Sequence, residues 1–393
     1  MTKYEYLIVG GGMTADAAVR GIREIDPKGS IGVISSEKTS PYKRPPLTKG
    51  LWKGDAVQSI WLDTDRQGVD LRLGRRVEAL DLTEKTVRDD QGSVCGYAKL
   101  LLATGGTPRR LPFGDGNFIY YRFFDDYKRL RSLSEKNGMR FAVIGGGFIG
   151  SEIAAALAMN GKPVTMIFPG KSIGASVFPE DLGAFMNARY REKGVTLLPD
   201  DTVTDARTRG RTTVLKTRKG EEVKAGAVVA GIGIEPNIEL ATSAGLAVEN
   251  GITVDTLLRT SAPEVWAAGD VASFASPALG KRLRVEHEDN AVAMGRAAGR
   301  NMAGADEPYQ HLPFFYSDLF EFGYEAVGEL DSRLETFADW KEPYREGVVY
   351  YLAGGRVRGV LLWNVWNQVD AARRLIAAPG PIRQEELRGR LPE

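Results

Sequence analysis

The chain is poor in cysteine and histidine. Its 393 residues include one cysteine, Cys95, and two histidines. A single thiol cannot form an internal disulfide, so the composition predicts a reducing compartment and a protein without structural disulfides. No stretch approaches the roughly 20 consecutive apolar residues that a membrane-spanning helix needs. Because the first predicted strand begins by Tyr4, no room is left for a signal peptide, and a cytoplasmic protein is expected.

The sequence also lacks an excess of charge of either sign. Its 52 basic and 51 acidic residues give a net charge of +1. This balance gives no support to a nucleic-acid-binding or membrane-binding surface, and no partner of either kind is predicted. The length predicts two or three domains, each large enough to bury its own core.

A strand, a glycine-rich turn, a helix and a second strand occur in that order at two places. The first set places strands at 4–9 and 31–35, with a helix ending near residue 25. The second set places strands at 140–144 and 164–168, with a helix at 151–160. The sequence therefore predicts an α/β fold with two Rossmann-like dinucleotide-binding domains.

The first turn has the spacing of a dinucleotide-binding motif. Gly10, Gly12 and Ala15 fit G-x-G-x-x-G/A, in which the glycines permit a tight turn and a close approach of backbone to a pyrophosphate. The helix that follows offers free N–H groups to the phosphates. Glu37 lies after the second strand, where a carboxylate can accept hydrogen bonds from ribose hydroxyls. These features together predict a dinucleotide site.

The second turn repeats the glycines but not the acid. Gly145, Gly147 and Gly150 are in place, whereas the next strand ends in Phe-Pro-Gly-Lys at 168–171. Lys171 is a candidate contact for an adenosine 2′-phosphate, and a solvated loop lysine is an equally good interpretation. NADH is favoured as the substrate, and NADPH is left open.

The last part of the chain differs in character from the rest. From residue 314 aromatic residues are frequent, and short strand patterns follow at 347–352 and 357–363. This pattern predicts a separate C-terminal α+β domain.

With these motifs the chain resembles the pyridine nucleotide-disulfide oxidoreductase family, and within it the subgroup of ferredoxin reductases and apoptosis-inducing-factor-like flavoproteins. The resemblance runs along nearly the whole chain. It is carried by SEKTSPYKRPPLTKGLW at 36–52, LLLATGGTPR at 100–109, IGGGFIGSE at 144–152, GIGIEPN at 231–237, VWAAGDVA at 265–272, FFYSDLFEFGYEAVG at 314–328 and LLWNVWN at 361–367.

The resemblance implies how the domains and the two sites are composed. The FAD-binding domain is expected at 1–112 and 247–310, the NAD(P)-binding domain at 113–246 and the C-terminal domain at 311–393. The implied FAD residues are Gly10, Gly11, Gly12, Met13, Thr14, Glu37, Lys38, Arg44, Lys49, Val77, Arg122, Asp270, His287, Glu288 and Tyr316. The implied nicotinamide-nucleotide residues are Gly146, Gly147, Phe148, Ile149, Gly233, Glu286, Glu325 and Asn367. No metal site is predicted.

The resemblance further implies a catalytic pair, in which Glu152 holds the Lys49 ammonium beside the flavin. Glu152 also has a simpler interpretation, as an acid near a helix N-terminus that favours the macrodipole. Asp270 is interpreted as a sugar-hydroxyl acceptor, with a helix cap as the alternative. Phe148 and Tyr316 are candidate gates that stack on the cofactors, or else core residues. His287 is expected to form a wall of the flavin site, because hydride transfer needs no general base.

The cysteine count limits which reactions of this fold the chain can catalyse. Disulfide reductases of this fold need a cysteine pair, whereas Cys95 lies in a hairpin-like region away from every flavin motif and is predicted to be structural. The expected function is an FAD-dependent NAD(P)H reductase whose electrons pass to a [2Fe–2S] ferredoxin, or to a quinone or other small oxidant. The alternative is a redox sensor with slow turnover, whose reduced charge-transfer state alters its oligomer or partners. A homodimer is left open.

Overall fold

The computed structural model describes residues 1–114 and 118–391. The helices are α1 Met13–Ile25, α2 Gly50–Lys53, α3 Phe124–Ser134, α4 Phe148–Met159, α5 Glu180–Glu192, α6 Glu239–Ser243, α7 Glu288–Met302 and α8 Val369–Ala377. Short 3₁₀ turns lie at Pro45–Leu47, Val57–Ile60, Thr64–Gln67, Gly269–Val271 and Gln384–Leu387.

The strands are β1 Thr2–Val9, β2 Ile31–Ser35, β3 Asp70–Leu73, β4 Val77–Asp81, β5 Thr86–Asp89, β6 Val94–Leu102, β7 Gly106–Pro108, β8 Phe118–Ile119, β9 Phe141–Ile144, β10 Val164–Ile167, β11 Thr196–Leu198, β12 Val203–Arg209, β13 Thr212–Thr217, β14 Glu222–Ala225, β15 Ala227–Ala230, β16 Ile234–Pro236, β17 Val248–Glu249, β18 Gly251–Thr253, β19 Val265–Ala267, β20 Ala272–Ser276, β21 Lys281–Leu283, β22 Phe314–Leu319, β23 Phe322–Gly328, β24 Glu335–Glu342, β25 Glu346–Ala353 and β26 Arg356–Trp363.

The chain divides into two compact units, and each is built from separated segments. Unit 1 consists of Met1–Lys43, Gln58–Thr107 and Glu235–Pro313. Unit 2 consists of Arg44–Val57, Pro108–Ile234 and Phe314–Glu393. The domain boundaries expected from the sequence stay a prediction.

Unit 1 is organised around one mostly parallel sheet, in the order β3-β2-β1-β6-β5-β4, with β19 also paired to β6. Val9 lies opposite Leu102, and Leu102 lies opposite Ala267, so β1, β6 and β19 end at the same edge of the sheet. Turns that follow parallel strands gather at such an edge, which is where α/β sheets bind ligands. The turn after β1 and the turn after β19 are therefore neighbours.

Unit 2 contains a parallel sheet of order β11-β10-β9-β15-β8 and an antiparallel meander of β12, β13 and β14. Ile144 lies opposite both Ile167 and Ala230, so the turns after β9, β10 and β15 share an edge. A five-stranded antiparallel sheet, β22-β23-β26-β25-β24, forms the C-terminal part, and α8 packs on β23 and β26.

The predicted fold class is confirmed, with two differences in detail. Helix α4 begins at Phe148 rather than at residue 151, because Gly147 adopts the extended N-cap conformation. Glu152 is therefore the fifth helical residue, and its interpretation as a first-turn acid that favours the macrodipole is wrong. No strand was predicted in the segment 331–346, which contains β24, an edge strand whose mixed burial has no clear alternation.

Among the helices of residues 1–114 and 118–391, none combines the length and the apolar character needed to cross a bilayer.

Buried tyrosines make the stability of unit 2 sensitive to alkaline pH. Burial raises the pKa of Tyr190, Tyr324 and Tyr351 well above the usual value. The folded state therefore keeps protons that the unfolded chain releases above about pH 10. We expect the free energy of unfolding to fall above that pH, by about 1.4 kcal/mol per pH unit for each such tyrosine.

Urea unfolding at a series of alkaline pH values measures this slope. The variant Tyr190→Phe should have a slope shallower than that of the wild type by about 1.4 kcal/mol per pH unit, the contribution of one tyrosine. An unchanged slope in that variant would show that the Tyr190 phenol does not contribute.

Candidate functional site

The turn after β1 is built from backbone. Gly10 has φ +126°, and a Cβ at this position would lie 2.0 Å from the Ala103 carbonyl oxygen. A Cβ on Gly11 would lie 2.2 Å from the Ser35 hydroxyl oxygen. Gly12 is the N-cap of α1 and has no side chain to cover the first N–H groups, and Met13 opens the helix. Such a turn fits a pyrophosphate, because backbone N–H groups point at the ligand and the helix end favours its charge.

The turn after β19 lies against the start of α1. A Cβ on Gly269, which has φ +79°, would lie 2.3 Å from the Thr14 hydroxyl oxygen. Asp270 follows directly, and its backbone carbonyl accepts a hydrogen bond from Arg284 Nη1 at 3.0 Å. The structure thus brings together two of the predicted FAD motifs, one from each end of unit 1.

Glu37 is held by a residue that the sequence reasoning missed. The Tyr42 hydroxyl donates a hydrogen bond of 2.6 Å to Glu37 Oε2, and Tyr42 itself is buried. The Glu37 amide donates to the Ser35 hydroxyl at 3.1 Å. The carboxylate is therefore oriented rather than free in solvent, as a ribose acceptor needs to be. The only signal for Tyr42 was its position within the quoted 36–52 motif.

The other predicted residues of unit 1 have varied surroundings. Lys38 is exposed, and Val77 opens β4 and packs against the core of unit 1. Glu286 forms an ion pair of 2.7 Å with Arg284. His287 is the N-cap of α7 and Glu288 is its first residue. Glu288 therefore occupies a position where an acid favours the helix dipole.

The predicted FAD residues are divided between the units. Arg44, Lys49, Arg122 and Tyr316 belong to unit 2, and the remaining members belong to unit 1. Within unit 2, Arg44 Nη1 donates to the Arg122 carbonyl at 3.3 Å, and the Arg44 guanidinium lies 5.2 Å from the centre of the Phe123 ring. Two of the predicted residues are thus in direct contact.

Lys49 and Glu152, the predicted catalytic pair, form a buried ion pair in unit 2. Lys49 Nζ lies 2.7 Å from Glu152 Oε2, and the side chains are 12% and 3% exposed. Thr48 Oγ1 donates to the same carboxylate oxygen at 2.5 Å, and Ser317 Oγ donates to Oε1 at 2.6 Å. A buried carboxylate is tolerated only when its lone pairs are satisfied in this way. The sequence reasoning identified the pair and missed both hydroxyls.

Aromatic side chains complete the surroundings of the pair. Lys49 Nζ lies 5.2 Å from the centre of the Tyr316 ring, a distance at which an ammonium is attracted to the ring face. Tyr324 lies directly opposite Ser317 across β22 and β23, and burial, reinforced by the Glu152 charge, raises the pKa of Tyr324. The Lys49 ammonium is therefore held between a carboxylate and an aromatic face.

The turn after β9 has the same backbone arrangement as the turn after β1. Gly145 has φ +113°, and a Cβ there would lie 2.2 Å from the Gly231 carbonyl oxygen. A Cβ on Gly146 would lie 2.9 Å from the Phe168 ring, whereas a Cβ on Gly147 would meet open space. The N-terminus of α4 is thus left accessible for a phosphate.

Phe148 and Ile149 follow this turn and are 36% and 37% exposed. The Phe148 ring lies 5.0 Å from the Phe315 ring in an edge-to-face arrangement. Partial exposure beside the turn favours the predicted contact with a ligand over simple core packing.

The residues after β10 explain why position 170 is a glycine and not an acid. A Cβ on Gly170 would lie 2.9 Å from the Ala175 Cβ, because the loop 170–175 closes over this position. The Lys171 ammonium lies 3.5 Å from the Glu180 carboxylate, and both side chains are largely exposed. This arrangement leaves Lys171 available to a phosphate without committing it to one.

Three further predicted residues lie in unit 2. Gly233 has φ +93° and its carbonyl accepts a hydrogen bond of 3.0 Å from the Arg109 amide. Asn367 has φ +63° in the loop before α8. Glu325 Oε2 is buried and makes no hydrogen bond within the part of the chain that the structure describes, and burial raises the pKa of Glu325. Glu325 Oε2 therefore remains able to accept a hydrogen bond.

Comparison with known families and proteins covers nearly the whole chain. Residues 4–295 match the family described as pyridine nucleotide-disulphide oxidoreductase. Residues 298–343 and 338–378 match the C-terminal domain described as apoptosis-inducing factor, mitochondrion-associated.

Two curated proteins and one solved structure illustrate the similarity. Apoptosis-inducing factor 1, mitochondrial, of Dictyostelium discoideum is 35% identical over 95% of this chain and 78% of its own length. The ferredoxin–NAD(+) reductase component of the anthranilate 1,2-dioxygenase system of Burkholderia cepacia is 36% identical over 96% of this chain and 95% of its own length. The reductase in a crystal structure of the covalent putidaredoxin reductase–putidaredoxin complex has a TM-score of 0.91, with 29% identity over 98% of this chain and 96% of that one.

The burial of the Lys49–Glu152 pair predicts a large loss of stability when one partner is removed. We expect Lys49→Met to lower the free energy of unfolding by about 3 kcal/mol, because Glu152 keeps a buried negative charge with only hydroxyl partners. The measurement is urea unfolding of the purified protein.

Lys53→Met is the matched control for this prediction. Lys53 lies four residues on and pairs with Asp318 at 3.2 Å, but these side chains are 45% and 35% exposed. An exposed pair contributes about 0–1 kcal/mol. Equal losses in the two variants would contradict the interpretation that burial decides the effect.

Proposed function

Because the chain belongs to the pyridine nucleotide-disulphide oxidoreductase family, we propose that it passes electrons from NAD(P)H through FAD to an external acceptor, foremost a [2Fe–2S] ferredoxin. Membership confirms the predicted family and the predicted use of FAD and NAD(P)H. When bound, the nicotinamide supplies a hydride and the flavin accepts it and delivers the electrons. The chain's own residues bind and orient these groups.

The observation that carries this proposal is the position of the only cysteine. Cys95 lies within β6, is 1% exposed, and its sulfur accepts a hydrogen bond of 2.9 Å from Arg72 Nη1. Burial raises the pKa of its thiol, which makes it a poor nucleophile. A chain with one buried thiol has no dithiol relay. Electrons therefore leave by way of an acceptor outside the chain.

The choice of a ferredoxin is supported by the relatives. The Burkholderia protein is named as a ferredoxin–NAD(+) reductase component, and the solved reductase is captured with putidaredoxin. Both similarities extend over at least 95% of each chain. A quinone or another small oxidant remains the second acceptor of the same proposal.

The proposed roles of the residues follow from their surroundings. The turn Gly10–Thr14 binds the FAD pyrophosphate, Glu37 accepts from a ribose, and Asp270 accepts from the ribityl chain. Arg44, Lys49, Arg122 and Tyr316 contact the flavin portion, as the family resemblance implies. Lys49, held by Glu152, stabilises negative charge on the flavin, because a fixed buried ammonium needs no reorganisation. In unit 2, the turn at 145–147 takes the nicotinamide pyrophosphate.

A second candidate function is a redox sensor with slow turnover. It is favoured by the match of residues 298–378 to the apoptosis-inducing-factor C-terminal domain and by the Dictyostelium relative. In this form, the reduced protein alters its oligomer or its partners. For either function a cytoplasmic location is proposed, because one buried thiol suits a reducing compartment. The homodimer stays a prediction.

Rapid mixing with NADH and with NADPH distinguishes the two functions. We expect the flavin absorbance to bleach within a second of mixing with NADH, and multiple turnovers to follow with a [2Fe–2S] ferredoxin and with a quinone. A reduced complex that persists in air and turns over slowly with every acceptor would favour the sensor. Failure of both nucleotides to bleach the flavin would contradict both functions.

The position of Lys171 predicts how the chain treats the two nucleotides. We expect Lys171→Ala to leave kcat/KM for NADH within about twofold and to lower kcat/KM for NADPH about tenfold, because only NADPH has a 2′-phosphate for the ammonium. Lys136→Ala, which removes another exposed lysine of unit 2, is the control. Equal losses of kcat/KM with the two nucleotides would show that Lys171 does not bind the 2′-phosphate of NADPH.

A further inference from the structure

The Glu152 carboxylate is held at both of its oxygens, and the two oxygens have different partners. Oε2 accepts from Lys49 Nζ and from the Thr48 hydroxyl, at 2.7 and 2.5 Å. Oε1 accepts from the Ser317 hydroxyl at 2.6 Å. Ser317 is 1% exposed, so no bulk water replaces it. Oε2 therefore pairs with the Lys49 ammonium, whereas Oε1 is held by Ser317.

The chemistry of the two groups fixes the direction of the hydrogen bond between Ser317 and Glu152. A carboxylate accepts only, so Ser317 must donate its single proton to Glu152. Tyr324 lies directly opposite Ser317 across β22 and β23, and its side chain is buried. Because Ser317 has one proton and Glu152 accepts it, Ser317 has none left for another acceptor.

This arrangement removes the rotational freedom of Glu152. Without Ser317, Oε1 becomes a buried acceptor with no donor, and the cost of such an atom draws the ammonium or the Thr48 hydroxyl toward it. The Lys49 ammonium is then shared between two oxygens instead of being aimed by one. Ser317 sits on a strand and Thr48 on a turn, so both donors are fixed by the backbone.

We propose that Ser317 is a positioning residue for the Lys49–Glu152 pair, and that by holding Glu152 Oε1 it fixes the Lys49 ammonium in the one orientation that favours the reduced flavin. The first part concerns this chain alone. The second part rests on the proposed function, because it requires a flavin at Lys49.

A double-mutant cycle tests the first part without any cofactor chemistry. The wild type, Ser317→Ala, Lys49→Met and the double variant are unfolded in urea after FAD has been removed. We expect the double variant to be more stable than additive losses predict, by a factor of about five in the unfolding constant, because the serine acts through the pair. Additive losses would overturn the proposal.

Ser134→Ala supplies the matched control for this cycle. Ser134 is also buried in unit 2, and its hydroxyl donates to the Arg131 carbonyl at 2.7 Å. Combined with Lys49→Met it should show additive losses. Tyr324→Phe removes the phenol but leaves Ser317 its proton for Glu152, so its coupling to Lys49 should be weaker than that of Ser317→Ala.

The second part is tested by the midpoint potential of the bound flavin, measured by equilibration with redox dyes rather than with NAD(P)H. We expect Ser317→Ala to weaken the preference for the reduced flavin about tenfold, which is about 30 mV for a two-electron couple. Ser317→Thr, which keeps the hydroxyl, should restore the wild-type potential. The Ser134→Ala potential should be unchanged.

The possible failures are distinguishable. If wild-type protein is not reduced by NADH or NADPH, the proposed function fails while the cycle and the dye measurement still decide on Ser317. If the flavin is reduced normally but Ser317→Ala and Ser317→Thr share the wild-type potential, the positioning role toward the flavin is wrong. If Ser317→Thr fails to rescue a shifted potential, the hydroxyl is not the cause.

Discussion

The buried ion pair between Lys49 and Glu152 constrains how three separated segments of unit 2 pack. Removing two charges from water costs several kcal/mol per ion, and attraction between them offsets this only when the remaining lone pairs are satisfied. Thr48 and Ser317 satisfy them, so a turn, a helix and a strand must meet at one point. This requirement agrees with the assignment of residues 44–57 to unit 2, although the chain on both sides of that segment belongs to unit 1.

The two glycine-rich turns have the same backbone arrangement but are accompanied by different side chains. In both, the first glycine has positive φ and lies against the carbonyl of a neighbouring strand end, Ala103 in one case and Gly231 in the other. The first turn is accompanied by Glu37, oriented by Tyr42. At the second, the loop closes over Gly170, where a side chain would collide. The difference between the sites therefore lies in the loops that follow the second strands, and not in the turns.

Much of the local structure could be predicted because it depends on local patterns. The strands at 31–35, 347–352 and 357–363 lie where the sequence placed them, to within one residue at each end, since each is an apolar run bounded by turn residues. The start of α4 and the edge strand β24 were predicted wrongly or missed. A helix start depends on the conformation of Gly147, and an edge strand is half exposed and lacks a regular alternation.

The family motifs identified Lys49 and Glu152, but nothing in the sequence marked Ser317 or Thr48 as their partners. Serine and threonine are common in strands and turns for ordinary reasons, and Ser317 is 165 residues from Glu152 along the chain. Tyr42 was missed for a related reason, since a buried tyrosine is usually only a core residue. Such partners are chosen by burial, which becomes apparent only when the segments are brought together.

The amino-acid sequence by itself determined the fold class, the two glycine turns and, through its single cysteine, the absence of a dithiol relay. Those features depend on residue types and short spacings, which folding does not alter. The tertiary structure decided which side chains share a buried charge, how Glu37 is oriented and why residue 170 is glycine. These depend on desolvation and on contacts between distant segments, and neither exists until the chain has folded.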